Sequence, residues 1–286
     1  MKGKAIYQPE GAAAEYAKYA CNLFKGCSNS CTYCYCKRWK WGNTPKLKKC
    51  FKDEQHALEV FEKELKENLP ELQKHGLFFS FTTDLMLTET IELTMQTVEL
   101  CDEVLVPVKI LTKRADWVDD FLNHRYFLPH RVTHIAFGFT LTGHDELEPN
   151  ASTNAERIEA MRKLHDAGFK TWASIEPIID FVSSLQMINT TIEFCDLYKI
   201  GLKSGKKYDK EDLKTFIVKT IGLMTTLRDN SGNEYIFRRM TNLNVHKAFD
   251  FNGKIYFKDI ILAQAGISRD RLPANCVDRD YNMFNN

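Results

Sequence analysis

Residues 15–36 read EYAKYACNLFKGCSNSCTYCYC, and three cysteines within this stretch, Cys27, Cys31 and Cys34, are spaced by four and then three residues. The chain has nine cysteines, an odd number, and four of them fall between Cys27 and Cys36. Thiols this crowded do not pair as a set of ordinary structural disulfides. In a reducing compartment such crowding indicates metal. Three close thiolates suit an iron–sulfur cube, which takes cysteine at most of its irons, and the absence of a fourth cysteine at cube spacing leaves one iron without a protein thiolate. A structural zinc site with Cys36 as the fourth ligand is the competing reading, although zinc knuckles usually come as separated pairs of cysteines. Cys21, Cys50, Cys101, Cys195 and Cys276 are scattered and read as small buried hydrophobes.

Downstream of this loop, apolar runs of strand length alternate with amphipathic helical stretches, the pattern of a parallel sheet with crossover helices. Strands are expected near 18–24 and at 77–83 (LFFSFTT), 104–111 (VLVPVKIL), 133–140 (THIAFGFT), 170–178 (KTWASIEPI) and 195–202 (CDLYKIGL). Most lack period-two alternation, as strands covered on both faces do. Leu58, Phe61, Leu65 and Leu69 recur at helical spacing, as do Leu213, Phe216, Ile217, Ile221, Met224 and Leu227. Thr153 with Glu156 forms a capping box, Ile158, Met161 and Leu164 face inward, and Gly168 closes that helix. Six β/α units within residues 18–228 are too few for a closed eight-fold barrel. They fit an α/β partial (β/α)6 barrel of the TIM type, with its site at the C-terminal ends of the strands. This places the barrel in residues 1–228 and a C-terminal extension in 229–286, where EYIFRR and KIYFKD read as short strands beside the turn-prone Asn252-Gly253.

The CX3CX2C spacing with an aromatic residue, Tyr33, before the last cysteine resembles the motif of the radical S-adenosylmethionine (SAM) superfamily. EYAKYACNLFKGCSNSCTYCYC, the TTD after the second strand, the ILTKR at the third and EPNASTNAERIEAMRKLHDAGF after the fourth resemble the spore photoproduct lyase-like branch, over about residues 6–180. The resemblance implies a 4Fe-4S cluster on Cys27, Cys31 and Cys34, with SAM chelated at the free iron and split reductively to a 5'-deoxyadenosyl radical that takes hydrogen from substrate. It places Tyr33 and Tyr35 beside the adenine and Thr83, Asp84 and Lys113 at the ribose or methionyl end of SAM, with Thr140 and Thr142 as further contacts. The alternatives are a surface turn for Lys113 and a helix N-cap for Thr83 and Asp84, since LTETIEL follows. The chain departs from the branch in two ways. The loop after the second strand reads TDLMLTE where the branch shows a TDPYQP-like run, and no cysteine lies between Cys50 and Cys101 to serve as the hydrogen donor of spore photoproduct lyases.

Glu176, at the expected end of the fifth strand, and Lys203, at the end of the sixth, would face the barrel mouth. A carboxylate there accepts strongly from an amidine-like base edge. An internal Glu176–Lys203 ion pair is the plainer alternative. Together with the branch's queuine-cleaving members, this points to a lyase acting on a nucleobase-type substrate, a modified base or a DNA photoproduct. A non-catalytic zinc-stapled nucleic-acid-binding protein and a radical SAM enzyme modifying peptides are the competing expectations.

The composition, 44% hydrophobic and 27% charged, is that of a folded globular protein, and the net charge of +1 gives no global attraction to nucleic acid. A local one exists: no acid occurs from Ser28 to Lys52, while Lys37, Arg38, Lys40, Lys46, Lys48, Lys49 and Lys52 interleave with Trp39 and Trp41. That stretch suits nucleic-acid phosphates, a flavodoxin- or ferredoxin-type electron donor, or simply water. No apolar run reaches the roughly 18 residues of a membrane span and no secretion signal is evident, so the protein is placed in the cytoplasm.

Overall fold

The structure, a computed structural model, describes residues 4–38, 46–123, 134–228, 234–236, 250–251 and 253–284. Eight strands form the main sheet: β1 (Ile6–Tyr7), β2 (Ala20–Cys21), β3 (Leu77–Phe79), β4 (Val108–Thr112), β5 (Ile135–Thr140), β6 (Lys170–Ile178), β7 (Leu197–Leu202) and β8 (Lys254–Phe257). They lie side by side in that order, all parallel from β2 onward, with β1 antiparallel at one edge. The edges β1 and β8 do not pair with each other, so the barrel stays partial. Strands β2 to β7 are the six expected from the sequence.

Helices α1 (Glu54–Glu67), α2 (Leu69–His75), α3 (Ile91–Glu103), α4 (Val118–Asn123), α5 (Asn154–Asp166), α6 (Phe181–Thr191) and α7 (Lys210–Leu223) supply the crossovers, and α8 (Asp259–Ala265) follows β8. Phe61 and Leu65 of α1, Met161 and Leu164 of α5, and Leu213, Phe216, Ile217 and Ile221 of α7 are buried in the main core against the outer face of the sheet. Helix α5 starts with the expected Thr153/Glu156 capping box, and Gly168 follows its end at φ 93°.

The inner face carries a second cluster, in which Phe78, Ala136, Trp172, Leu197 and Tyr256 from five strands meet Tyr16, Ala17, Ala20 and Met283. Gly138 makes this filling possible, because a Cβ there would stand 2.1 Å from the Trp172 indole.

KIYFKD, read from the sequence as a short strand of the C-terminal extension, is a strand but belongs to the barrel sheet. Residues Lys254–Phe257 extend the barrel sheet parallel to β7, whereas Glu234–Ile236 pairs with Thr225–Arg228, which also pairs with Asp250–Phe251. Burial of Ile255, Tyr256 and Phe257 drives this placement. Gly253 adopts φ 75°, and the chain there passes so close to the residues leading into β7 that a Cβ would lie 2.6 Å from the Cys195 carbonyl. Asn252 lies outside the described residues.

Candidate active site

The three cysteines sit on a loop that follows the short strand Phe24–Lys25, which pairs antiparallel with Lys48–Lys49. Gly26 opens the loop at φ 87° and Ser30 adopts φ 56° within it. Cys31 is buried, and Cys27 and Cys34 are half-buried. Strand ends on both sides hold the loop. On one side Thr83 Oγ1 donates to the Gly26 carbonyl (2.8 Å) and Thr82 Oγ1 to that of Phe24 (2.7 Å). On the other, the Thr32 amide donates to the Leu147 carbonyl (2.8 Å), and Asn150 Nδ2 donates to that of Ser28 (2.9 Å).

Two buried carboxylates complete the attachment. Asp84 accepts from Asn29 Nδ2 (2.8 Å), Thr112 Oγ1 (2.7 Å), the Lys113 amide (2.7 Å) and the Met86 amide (3.1 Å), tying the loop to the end of β4. Glu148 accepts from the Tyr33 hydroxyl, from Arg157 Nη2 and from Thr142 Oγ1 (3.3 Å). Arg157, fully buried on α5, also donates to the Thr140 carbonyl (2.5 Å) and so ties the loop to the end of β5. The Lys113 ammonium lies 5.9 Å from the centre of the Tyr33 ring. Burial pulls its pKa down, but the nearby Cys31, Glu148 and Asp84 outweigh that and leave it raised. Burial pushes the Cys27 thiol up to about 12 and raises that of Cys31. The Cys34 thiol is held down to about 6, chiefly by its hydrogen bond with Cys36, whose own thiol is raised by the same contact.

Tyr35, exposed at the rim, donates from its hydroxyl to the Phe81 carbonyl, to which the Cys36 sulfur also points at 3.7 Å. The Phe81 ring meets Tyr16 edge-on at 6.1 Å, and this contact leads into the barrel. There the Tyr16 hydroxyl bonds Glu176 (2.6 Å) and Ser174 (2.7 Å). The Lys258 ammonium lies 3.1 Å from each Glu176 oxygen. The Glu176 side chain crosses β7 at Gly201, where a Cβ would stand 2.4 Å from its Cδ.

The superfamily model that describes radical SAM proteins matches residues 21–212. The chain belongs to the radical SAM superfamily. An uncharacterised protein of Methanocaldococcus jannaschii is 27% identical over 215 residues, covering 67% of this chain and 74% of that protein. Among solved structures, a mutant spore photoproduct lyase with bound S-adenosylmethionine and dinucleoside spore photoproduct matches at TM-score 0.53 and 19% identity, over 78% of this chain and 69% of that one. Another mutant of that lyase matches at TM-score 0.55 and 18% identity, over 81% and 72%. These likenesses establish the partial-barrel fold of radical SAM proteins.

The cofactors of this radical SAM chain are a 4Fe-4S cluster and SAM, and the donors at the loop fit the cluster. A cube takes one thiolate per iron, and three thiols on one firmly attached loop can supply that.

Of the residues singled out from the sequence, Tyr33, Thr83, Asp84, Lys113, Thr140 and Thr142 gather around the cysteine loop and Tyr35 lies at its rim. Helix α3 starts at Thr90 without a side-chain cap, so Thr83 and Asp84 are not its N-cap. Lys113 is half-buried rather than on a surface turn. The Glu176–Lys203 ion pair, the plainer of the two alternatives for these residues, is not formed. Lys258 takes that place, and Lys203 makes no ion pair among the described residues. Sequence reasoning missed Lys258, Tyr16, Asn29, Glu148 and Arg157. Lys258 follows the apolar run KIYF directly, and reading that run as a barrel strand would have put the lysine at the mouth by the same rule that found Glu176.

Proposed function

We propose that the protein is a cytoplasmic radical SAM lyase acting on a nucleobase-type substrate, with Cys27, Cys31 and Cys34 as the cluster ligands. When bound, the reduced cluster and SAM supply a 5'-deoxyadenosyl radical. The chain's own residues orient the partners. Lys113 and Tyr35 present their side chains to SAM, while Asp84, Thr83, Tyr33 and Thr140 keep the loop and the strand ends in register around it. Glu176 receives the substrate, with Lys203 at the end of β7 on the same rim. The observation that carries this reading is the Glu176 carboxylate at the C-terminal end of β6, held by Lys258 and Tyr16 and reached from the cluster loop through Phe81. Its Oε1, which receives only Lys258, can accept a further charge-assisted hydrogen bond from an amidine-like purine edge. Electrons would come from a flavodoxin- or ferredoxin-type donor.

The test is anaerobic reconstitution followed by 5'-deoxyadenosine assay against modified bases, oligonucleotides and peptides. Wild-type protein should carry roughly four iron and four sulfide per chain, lost in Cys27→Ala, Cys31→Ala or Cys34→Ala and kept in Cys36→Ala. A purine-type base should stimulate SAM cleavage, and Glu176→Gln should abolish the stimulation while leaving iron content and uncoupled cleavage in place. Stimulation by peptides alone, or an unaffected Glu176→Gln variant, refutes the assignment.

A further inference from the structure

The inward side chains of the barrel strands form layers. On β6 they are Trp172, Ser174 and Glu176, and on β7 Leu197, Lys199 and Gly201, because Tyr198, Ile200 and Leu202 between them belong to the main core outside the sheet. Trp172 and Leu197 lie in the inner apolar cluster, Ser174 and Lys199 are register partners one step higher, and the Glu176 side chain crosses Gly201 at the top. A buried lysine in the middle layer is costly unless its ammonium is bonded. Lys199 is buried, and among the described residues no carboxylate is bonded to it. It donates instead to two successive carbonyls, that of Glu15 at 3.0 Å and that of Tyr16 at 2.8 Å. Burial pulls its pKa well below the ordinary value, with Lys109 and Lys258 adding to the shift by repulsion. With or without its third proton it keeps the two N–H groups that the two carbonyls take.

The segment held in this way lies between β1 and β2 in the chain but bonds to the opposite edge of the sheet. The Ala12 carbonyl accepts from Lys258 (3.1 Å), and Glu15 Oε2 accepts from the Tyr256 hydroxyl (2.8 Å) and the Asp259 amide (3.1 Å). Gly11–Glu15 is a 3-10 turn with no buried side chain, so polar contacts rather than apolar packing fix it. Tyr16, which follows, is buried and held at both ends. Its carbonyl takes Lys199 and, at 3.5 Å, Lys109 of β4, while its hydroxyl donates to Glu176 Oε2 (2.6 Å) and bonds Ser174 (2.7 Å). The hydroxyl contact decides which carboxylate oxygen stays open, because Oε2 receives both Tyr16 and Lys258 and Oε1 receives Lys258 alone. A shift of the main chain at Tyr16 is therefore a shift of the Glu176 carboxylate.

We propose that Lys199 is a positioning residue for substrate recognition: by fixing the main chain of Glu15 and Tyr16 it sets the Tyr16 hydroxyl, and through that hydroxyl it orients Glu176. The inference rests on Glu176 receiving the substrate. It gives the inward face of β7 a division of labour, with Leu197 in the apolar floor, Lys199 holding the segment that carries Tyr16, and Gly201 leaving the space that Glu176 crosses.

The reconstituted holoenzyme is prepared with 3-fluorotyrosine in place of tyrosine and followed by fluorine NMR without substrate. The Tyr16 line is identified by its loss in Tyr16→Phe, and Glu176→Gln shows how it moves when the hydroxyl contact is disturbed. Lys199→Met should move or broaden that line, whereas Ile217→Val, in the main core outside the sheet, should leave it in place and so controls for a general loss of stability. In the same Lys199→Met protein the KM of a purine-type base in stimulated SAM cleavage should rise about tenfold, the size of one charged hydrogen bond, with iron content as in wild type. Lys199→Gln keeps N–H donors on a shorter stem; it should show smaller changes of the same sign, and it is read instead should the methionine variant not fold. A Tyr16 line unmoved by either Lys199 variant, or moved as much by Ile217→Val, overturns the proposal, as does a moved line with an unchanged KM. Wild-type protein that no purine base stimulates overturns the base-binding reading instead, and the fluorine line, recorded without substrate, separates the two failures.

Discussion

Replacing Glu148 by alanine tests whether the cysteine loop is held by its buried carboxylates. The side chains of Glu148 and Arg157 are both fully buried, and removing one member of such a pair typically costs about 3–5 kcal/mol, because the other charge is left in a poor medium. Here the low end applies. Without Glu148 the guanidinium still donates to the Thr140 carbonyl at 2.5 Å and to that of Thr153 at 3.3 Å, and Asp145 remains 3.6 Å away. Taking about 3 kcal/mol and roughly 2–4 °C of melting temperature per kcal/mol for a chain of this size gives a drop of about 6–12 °C. Tyr33→Phe removes a single hydrogen bond and should cost only about 1 kcal/mol. The Glu148→Leu/Arg157→Met double variant removes both charges and should melt closer to wild type than Glu148→Ala does. Melting is followed by circular dichroism under anaerobic conditions, with iron counted in parallel, and iron content should fall in Glu148→Ala because Tyr33 loses its anchor. A Glu148→Ala protein that melts within about 2 °C of wild type with a full cluster would refute the role given to this pair.

Gly201→Ala should lower stability by about 1–3 kcal/mol and remove the response to substrate while sparing the cluster. The added Cβ would stand 2.4 Å from Glu176 Cδ, and that side chain is held by Lys258 and Tyr16; an unchanged substrate response would count against Glu176. His144 bonds Asp180 (2.5 Å) and Glu146 (2.7 Å), which raise its pKa above the usual value, Asp180 most strongly. A raised histidine stabilises fully below its unfolded pKa and loses that effect as pH climbs through the folded one. The stability gap between wild type and His144→Gln should therefore be largest near about pH 6 and close toward about pH 9, and a gap that widens with pH would contradict the pairing. Neutralising Lys46, Lys48 and Lys49 together should slow turnover with a flavodoxin-type donor but not with dithionite, which needs no docking surface. Equal slowing with both reductants would assign the stretch to substrate.

Six strands, the capped helix α5 and the cysteine loop could be read from the sequence because each is a local signal: a run of one period, a capping box, a spacing. The attachments that make the loop a site are not local. Tyr33 and Glu148 are 115 residues apart, Asn29 and Asp84 55, and Lys258 and Glu176 82, and no short-range pattern encodes such pairs. Strand β8 was read as a strand but assigned to the C-terminal extension, for a related reason. Asn252-Gly253 is a strong hairpin signal, yet Gly253 is there because the chain passes close to the Cys195 carbonyl, a requirement visible only once β7 is in place. Gly201 and Gly138 are the same kind of case, since each makes room for a large side chain from the neighbouring strand β6.

The order of strands also explains how the two halves of the site come to face each other. Hydrogen bonds from the ends of β3, β4 and β5 hold the cysteine loop, whereas Glu176 sits on β6 and Lys258 follows β8, so the loop and the carboxylate stand on adjoining arcs of one rim. Phe81 stands between them. Its carbonyl receives Tyr35, its ring packs on Phe78 at 4.6 Å, and Tyr16 meets it on the way to Glu176. Under the proposed function, these packed rings line the way from the loop to the carboxylate, the way along which a reactive radical must meet its substrate before anything else.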